Sequence, residues 1–391
     1  MGRMITINEI YLDNSATTQP TPDVLAAMNE AALQYYANPS SLHRQGLVAE
    51  KALKSARRQL AEALGIAMTE LVFTSGGTEA NNLAILGTVQ GYPRRGNHLV
   101  TSAIEHPSVL NVFKRLEQTG YQVTYLPVDS NGIVDLKALE ASLTPTPLLV
   151  SIMLVNNETG SIQPVETVAR MLAALKPKPI LHVDAVQGLG KIPFALRQSQ
   201  VDLLSFSGHK FHGPKGSGGL YINQKLRLAP VFHGGGQESG LRAGTENLPA
   251  IVGMATAATA ALSNLHPHFE KLSLLKQRLC QGICEQINKI RINSPWDATG
   301  APHILNVSFL GVKGEVLLHA LESDGILVST GSACTSRKQS ASHVLKALEL
   351  SPAELAGAIR FSFSPANTTE EIDYTLERLQ YHLTALRRVI G

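Results

Sequence analysis

The feature that most constrains this chain is an alternation. Short apolar runs of strand length, mostly β-branched, punctuate the first two thirds of the sequence: Leu71–Thr74, His98–Ser102, Gln122–Leu126, Leu148–Val155, Ile180–Asp184, Val201–Ser207 and Gly219–Ile222. Segments of helical character separate several of them. Parallel strands need crossovers, and helices are the usual crossovers, so the alternation predicts an α/β chain. Its expected core is a mostly parallel central sheet with helices on both faces. Two helices announce themselves by their ends. Thr21-Pro22-Asp23 sets a cap-like threonine and a first-turn proline at one start. Leu47–Leu64 carries apolar residues at helical spacing and stops at Gly65, a C-cap signal.

An Ala/Thr-rich helix around Ala250–Leu262 precedes a restart of the pattern. Beyond it come an amphipathic helix (Leu272, Leu275, Leu279, Ile283, Ile287), strands at Ile304–Phe309 and Ile359–Phe363, and a closing helix from Thr369. The expected division is a large domain over 16–262 and a smaller α/β domain built from 1–15 and 263–391. With 44% hydrophobic and 17% charged residues in 391, the chain is neither disordered nor a coiled coil. Lys+Arg 34 against Asp+Glu 31, with no basic block, argues against a nucleic-acid or membrane surface. Three cysteines without a C-x-x-C pair exclude a disulfide framework and point to a reducing compartment. No secretory leader pattern opens the chain, and the uncharged stretch Asn247–Phe269 is too poor in large apolar residues to span a membrane. A cytoplasmic protein is expected.

Three segments could carry chemistry. Thr74-Ser75-Gly76-Gly77-Thr78-Glu79-Ala80-Asn81 ends a strand, turns on two glycines and opens a helix. Backbone N–H groups and the helix dipole suit a phosphate there; a plain turn with Thr78 as N-cap uses the same residues. No dinucleotide or P-loop fingerprint occurs. Ser207-Gly208-His209-Lys210 follows a strand, where a desolvated amine can form a Schiff base, or a loop lysine can simply be solvated. Asp184 ends a third apolar strand and needs a partner, either a helix N-terminus or a protonated pyridine nitrogen. Phosphate turn, strand-end acid and strand-end lysine together suggest pyridoxal phosphate. One rival is a metal-dependent hydrolase using His182, Asp184, His209 and His212. Another takes His233-Gly234-Gly235-Gly236 as an esterase oxyanion strand, but no G-x-S-x-G elbow accompanies it. A non-catalytic binding protein is the third.

The order of further blocks is more specific. It includes Tyr11-Leu12-Asp13-Asn14-Ser15-Ala16-Thr17-Thr18, Asn38-Pro39-Ser40-Ser41-Leu42-His43, Glu105-His106-Pro107-Ser108 and Asn156-Asn157-Glu158-Thr159-Gly160. The stretch His233–Asn247, Gly331-Ser332-Ala333-Cys334-Thr335-Ser336 and Ile359-Arg360-Phe361-Ser362 complete it. Nearly end to end, the chain resembles the cysteine desulfurases of the NifS/IscS type, class V, fold-type I relatives of the aminotransferases.

The resemblance implies a role for each matching residue. Lys210 would hold pyridoxal phosphate as a Schiff base and shuttle protons. Asp184 would pair with the pyridinium nitrogen, and His106 would stack on the ring and assist acid–base steps. Asn157 and Gln187 would bond the phenolic oxygen. Gly77, Thr78, Ser207 and His209 would hold the phosphate, joined by Thr245 from a second subunit of a homodimer. Arg360 would grip the substrate carboxylate, with Asn38 in the block lining the same site. No resident metal is implied; Cys334 is the residue to which a transient iron–sulfur cluster could bind.

Cys334 separates a desulfurase from an ordinary aminotransferase. Its surroundings, Ser329–Ser340, are small and polar, with Arg337 and Lys338 close by, and nearby cations favour thiolate. The resemblance then implies L-cysteine as substrate, L-alanine as product and a persulfide on Cys334. The acceptor would be an iron–sulfur scaffold or a tRNA-thiolation enzyme. Selenocysteine lyase is the alternative on the same fold. Cys280 and Cys284, beside a helical apolar stripe, are expected to serve packing.

Overall fold

The computed structural model describes residues 9–143, 145, 147–331 and 342–390. A two-residue strand, β1 (Ile10–Tyr11), precedes helices α1 (Pro22–Gln34) and α2 (Arg44–Leu64). Thr21 caps α1 by accepting from the Val24 N–H, as its sequence predicts. Gly65 closes α2 in the left-handed conformation at φ 67, where a Cβ would add strain. The alternation follows: β2 (Leu71–Thr74), α3 (Gly77–Gly91), β3 (His98–Ser102), α4 (Pro107–Gln118), β4 (Gln122–Leu126) and α5 (Leu136–Ser142). It continues through β5 (Leu149–Met153), α6 (Val165–Ala173), β6 (Ile180–Asp184), β7 (Leu203–Ser207) and β8 (Gly218–Ile222).

These strands form a seven-stranded sheet in the order β2-β8-β7-β6-β5-β3-β4. It is mostly parallel, with β8 running against both of its neighbours. Every residue of β3, β5, β6 and β7 is buried, which is why these strands read as continuous apolar runs rather than as alternating ones. Parallel register has a direct consequence for function. The C-terminal residues Ser102, Met153, Asp184 and Ser207 come out at one edge of the sheet, where open α/β sheets place their ligands.

Helix α7 (Leu248–Ser263) packs on α1 and α2 and meets α8 (Leu265–Gln286) at a 73° bend. The rest comprises β9 (Ile290–Ile292), β10 (Ile304–Phe309), α9 (Gly314–Glu322), β11 (Ile326–Leu327), α10 (His343–Ala347), α11 (Pro352–Ala356), β12 (Ala358–Ser362) and α12 (Thr369–Ile390). Strands β12, β10 and β9 make a second, antiparallel sheet, and β1 pairs with β11. Leu272, Leu275, Leu279 and Ile283 of α8 pack with Phe309, Phe361, Ile372 and Leu379 in a core of their own. Full burial of each such side chain contributes about 1.5–3 kcal/mol. Ile10 and Leu12 belong to that core too, so this N-terminal segment packs with residues of the chain's last third.

The loop from Asp13 to Thr18 is tied at both ends. The Asn14 N–H donates to Ser362 O on β12, and the Thr18 N–H donates to His209 O after β7. This loop therefore spans from the second sheet to the edge of the first.

Candidate active site

A cavity of about 210 Å³ opens at that edge. Asp184 ends β6 there at 4% exposure. Its Oδ1 accepts from the Val186 N–H at 2.9 Å and its Oδ2 from Asn81 Nδ2 at 2.7 Å. Asn81 donates also to Ser108 Oγ at 2.9 Å, and the Ser108 hydroxyl lies 2.7 Å from His106 Nδ1. That Nδ1 accepts the Ser108 backbone N–H as well, so the neutral ring carries its proton on Nε2. His106 is the N-cap of α4. Burial holds its pKa below the usual histidine value; Asp184 opposes that shift, while Lys210 and His343 reinforce it.

The Gly-Gly turn leads into α3. The structure corrects the reading of Thr78 as a cap: Gly76 is the N-cap, it offers no side-chain bond, and Thr78 stands inside the first turn. Gly77 and Thr78 line the cavity with that uncapped helix start. A Cβ on Gly77 would lie 2.6 Å from Val186 Cγ2, so the backbone comes this close only because the residue is glycine. Ser207, His209 and Lys210 line the opposite turn, after β7. His209 bonds Thr17 Oγ1 at 3.1 Å, and burial, with Lys210, Lys191 and Lys215 nearby, lowers its pKa to about 4. It is a neutral hydrogen-bonding group at neutral pH. Lys210 is not the solvated loop lysine: its Nζ donates to the carbonyls of Ser15 at 2.6 Å and Ala16 at 2.8 Å.

Asn157, Gln187 and Arg360 complete the wall. Gln187 Nε2 donates to Ser15 O at 2.8 Å. Arg360, on β12 and 1% exposed, donates to Asn157 O at 2.8 Å and pairs with Asp13 Oδ1 at 2.7 Å. Its Nε–H has no partner among the described residues, and neither has the buried Ser15 Oγ. These idle donors, the uncapped helix start, the buried acid and the amine suit pyridoxal phosphate, which presents an anion, a ring nitrogen and an aldehyde to such groups.

Two of the sequence-derived positions fall elsewhere. Asn38 and Thr245 are exposed and do not line this chain's cavity. Cys334 lies outside the described residues. The hydrolase rival loses its ligands: His182 is buried in the sheet, with its nitrogens bonded to Ser151 Oγ and Ser205 Oγ. No metal-binding cluster of His, Cys, Asp or Glu occurs among the described residues. The His233–Gly236 run is exposed and takes no part in the cavity. Cys280 is buried, as a packing role requires, and burial raises its pKa to about 12. Cys284 is exposed, against expectation, because it sits one step around the helix from the buried Ile283.

Sequence reasoning assigned no role to Asn81, Ser108, Asp13 or Ser15, although all four stood in quoted blocks. Asn81 stands out only once the structure shows it as a polar residue buried on a helix. The others matter through partners far along the chain.

Comparison with known proteins agrees with this geometry. The family model described as Aminotransferase class-V matches residues 10–375. A cysteine desulfurase from Nostoc sp. is 44% identical over 379 residues, which is 97% of this chain and 94% of the relative. The cysteine desulfurase IscS of Clostridium botulinum is 42% identical over 373 residues, covering 95% of this chain and 93% of its own. The solved structure of a NifS-like protein superposes with a TM-score of 0.91 at 39% identity, over 96% of this chain and 100% of that one. By fold, by cavity and by sequence over almost its whole length, the chain belongs to the aminotransferase class-V family.

Proposed function

We propose that this chain is a cysteine desulfurase, using pyridoxal phosphate to take sulfur from L-cysteine, release L-alanine and leave a persulfide on Cys334. The observation that carries the reading is the convergence of Lys210, Asp184, His106 and the uncapped start of α3 on one cavity. When bound, the cofactor supplies an electron sink at the substrate carbon. Lys210 would hold its aldehyde carbon and then carry protons with its Nζ. Asp184, fixed through both oxygens, would keep the ring nitrogen protonated. Gly77, Thr78, Ser207 and His209 would bind the phosphate, and Asn157 and Gln187 the phenolic oxygen. His106, with its proton on Nε2, would cover the ring. Arg360, anchored by Asp13, would meet the substrate carboxylate with its idle Nε–H.

The sulfur step balances without an outside oxidant. The Cys334 thiolate attacks the substrate Sγ; the S–S bond forms as the Cβ–Sγ bond breaks. Carbon is reduced and takes a proton, while the sulfur is oxidised to the persulfide level. The smaller domain, 1–15 and 263–391, would bring Cys334 to the cavity.

A homodimer is part of the proposal. Exposed Leu33, Tyr36 and Leu42, the last at 94%, offer an apolar surface along the α1–α2 connection, and Thr245 is free to reach a partner's phosphate site. The free thiols Cys280 and Cys284 suit the cytoplasm. Sulfur would pass to an iron–sulfur scaffold or a tRNA-thiolation enzyme. Borohydride treatment of the protein with pyridoxal phosphate tests the site: the label should appear on the Lys210 peptide. A protein that takes up no cofactor, or is labelled elsewhere, would defeat the proposal.

A further inference from the structure

Behind Gln187 lies a lysine that the chemistry above does not use. Lys191 is 8% exposed, and its Nζ donates to Gln187 Oε1 at 3.1 Å. It enters no ion pair among the described residues. Among the described residues, the ionisable groups that act on it are Lys210, Arg360, His209, His212 and His303, none of them acidic. His303, 1% exposed, shares with Lys191 and Lys210 a cavity of about 100 Å³ behind the site. Burying an amine without an acid is costly, and an apolar side chain of equal length would avoid that cost. What the amine contributes must come through its contact with Gln187.

A primary amide has two N–H donors and one carbonyl acceptor. In Gln187 the carbonyl takes Lys191, and one N–H goes to Ser15 O, the same oxygen that accepts Lys210 Nζ. Lys191 and Ser15 thus enforce one orientation of the amide from its two ends. The other N–H is what Gln187 has left for a molecule in the cavity it lines.

We propose that Lys191 is a positioning residue: it holds the Gln187 amide so that an N–H, not the carbonyl, meets the phenolic oxygen of the bound cofactor. This rests on the reading of the cavity as a pyridoxal phosphate site. A donor at that oxygen favours the deprotonated form of the chromophore. Losing the donor should therefore move the pH midpoint of the visible absorption upward.

The test is a spectrophotometric titration of holoenzyme in a double-mutant cycle of Lys191→Met and Gln187→Ala. Lys191→Leu takes the place of the methionine variant if that one does not fold. Either Lys191 replacement should raise the midpoint by about one unit and weaken cofactor retention about tenfold, since one unit is a tenfold change in an equilibrium. In a Gln187→Ala background the same replacement should add almost nothing. An unchanged midpoint, or full additivity, would overturn the inference; a lower melting temperature alone would count as the same failure. A wild-type chain that binds no pyridoxal phosphate would overturn the reading of the site itself, and the inference with it.

Discussion

Asp184 and Arg360 line the same cavity, yet they reach it by different routes. Asp184 is the last residue of a buried parallel strand, and the register of β5, β6 and β7 sets its place with Met153 and Ser205 beside it. Arg360 arrives on the second sheet and is held by Asp13, 347 residues away in sequence, and by Asn157 O. The cavity therefore has a floor fixed by one sheet and a roof fixed by contacts between remote segments. The floor is suited to holding a cofactor in one geometry. The roof, where the chain's first and last thirds meet, is suited to reading the substrate.

Substitutions on the two sides should separate. Lys210→Ala, in the floor, should reduce alanine formation from L-cysteine by more than about 10⁴-fold, because it removes the covalent anchor and a proton carrier together. Asp184→Asn should lower kcat by about 10²- to 10³-fold, as the loss of one preorganised charge in a buried site does. In the roof, Asp13→Asn should instead raise KM for L-cysteine about tenfold with kcat nearly kept, because Arg360 loses an anchor but not its charge. Steady-state kinetics of the three variants measure the split. A kcat collapse in Asp13→Asn with KM unchanged would erase the distinction between floor and roof.

Beneath the floor, two buried groups should give stability opposite pH dependences. Burial raises the Glu105 pKa from 4.5 to about 8, against the hydrogen bonds from Ser102 Oγ and the Met153 N–H. The folded state holds this proton longer than the unfolded one, so the stability is full below pH 4.5 and is lost as pH rises toward 8. His182, lowered to about 3 by burial, acts the other way: its contribution is present above its unfolded pKa near 6.5 and is lost as pH falls toward 3. Glu105→Gln keeps the acceptor oxygen and removes the titration. Denaturant unfolding between pH 5 and 8 should lose its alkaline decline in that variant; an unaltered slope would contradict the assignment. The smallest effects belong to the cysteines. Cys280→Ala should cost about 1 kcal/mol by opening a small cavity, and the exposed Cys284→Ala close to nothing.

The floor was legible in local sequence signals; in the roof, Arg360 and Asn157 were reached only through the family resemblance, and the Asp13 contact that holds Arg360 through neither. Strand ends, glycine turns and apolar runs are local signals, and they located Asp184, Ser207, Lys210 and the start of α3. Strand limits failed where apolar residues continue into a turn: Leu154 and Val155 prolong the run of β5, but the strand stops at Met153. Strands β1, β9 and β11 span two or three residues each, too few to show a period. The link from Asp184 through Asn81 and Ser108 to His106 joins three separate elements. Nothing local in the sequence pairs a helix asparagine with a strand-end acid, and nothing local pairs Asp13 with Arg360. The exposure of Cys284 shows the same limit, since a stripe drawn from spacing alone is wider than the face that packing buries.

The central claim is that floor and roof serve sulfur transfer to Cys334, and alanine release by Cys334→Ala tests it most directly. Holoenzyme of this variant, its bound cofactor confirmed by absorbance in the same sample, is mixed with L-cysteine and the alanine is quantified against wild type. The account predicts a spectral change on substrate addition with almost no alanine released. Alanine formation at near the wild-type rate would show that Cys334 is not the sulfur acceptor, and the desulfurase reading would give way to lyase chemistry of the kind that acts on selenocysteine.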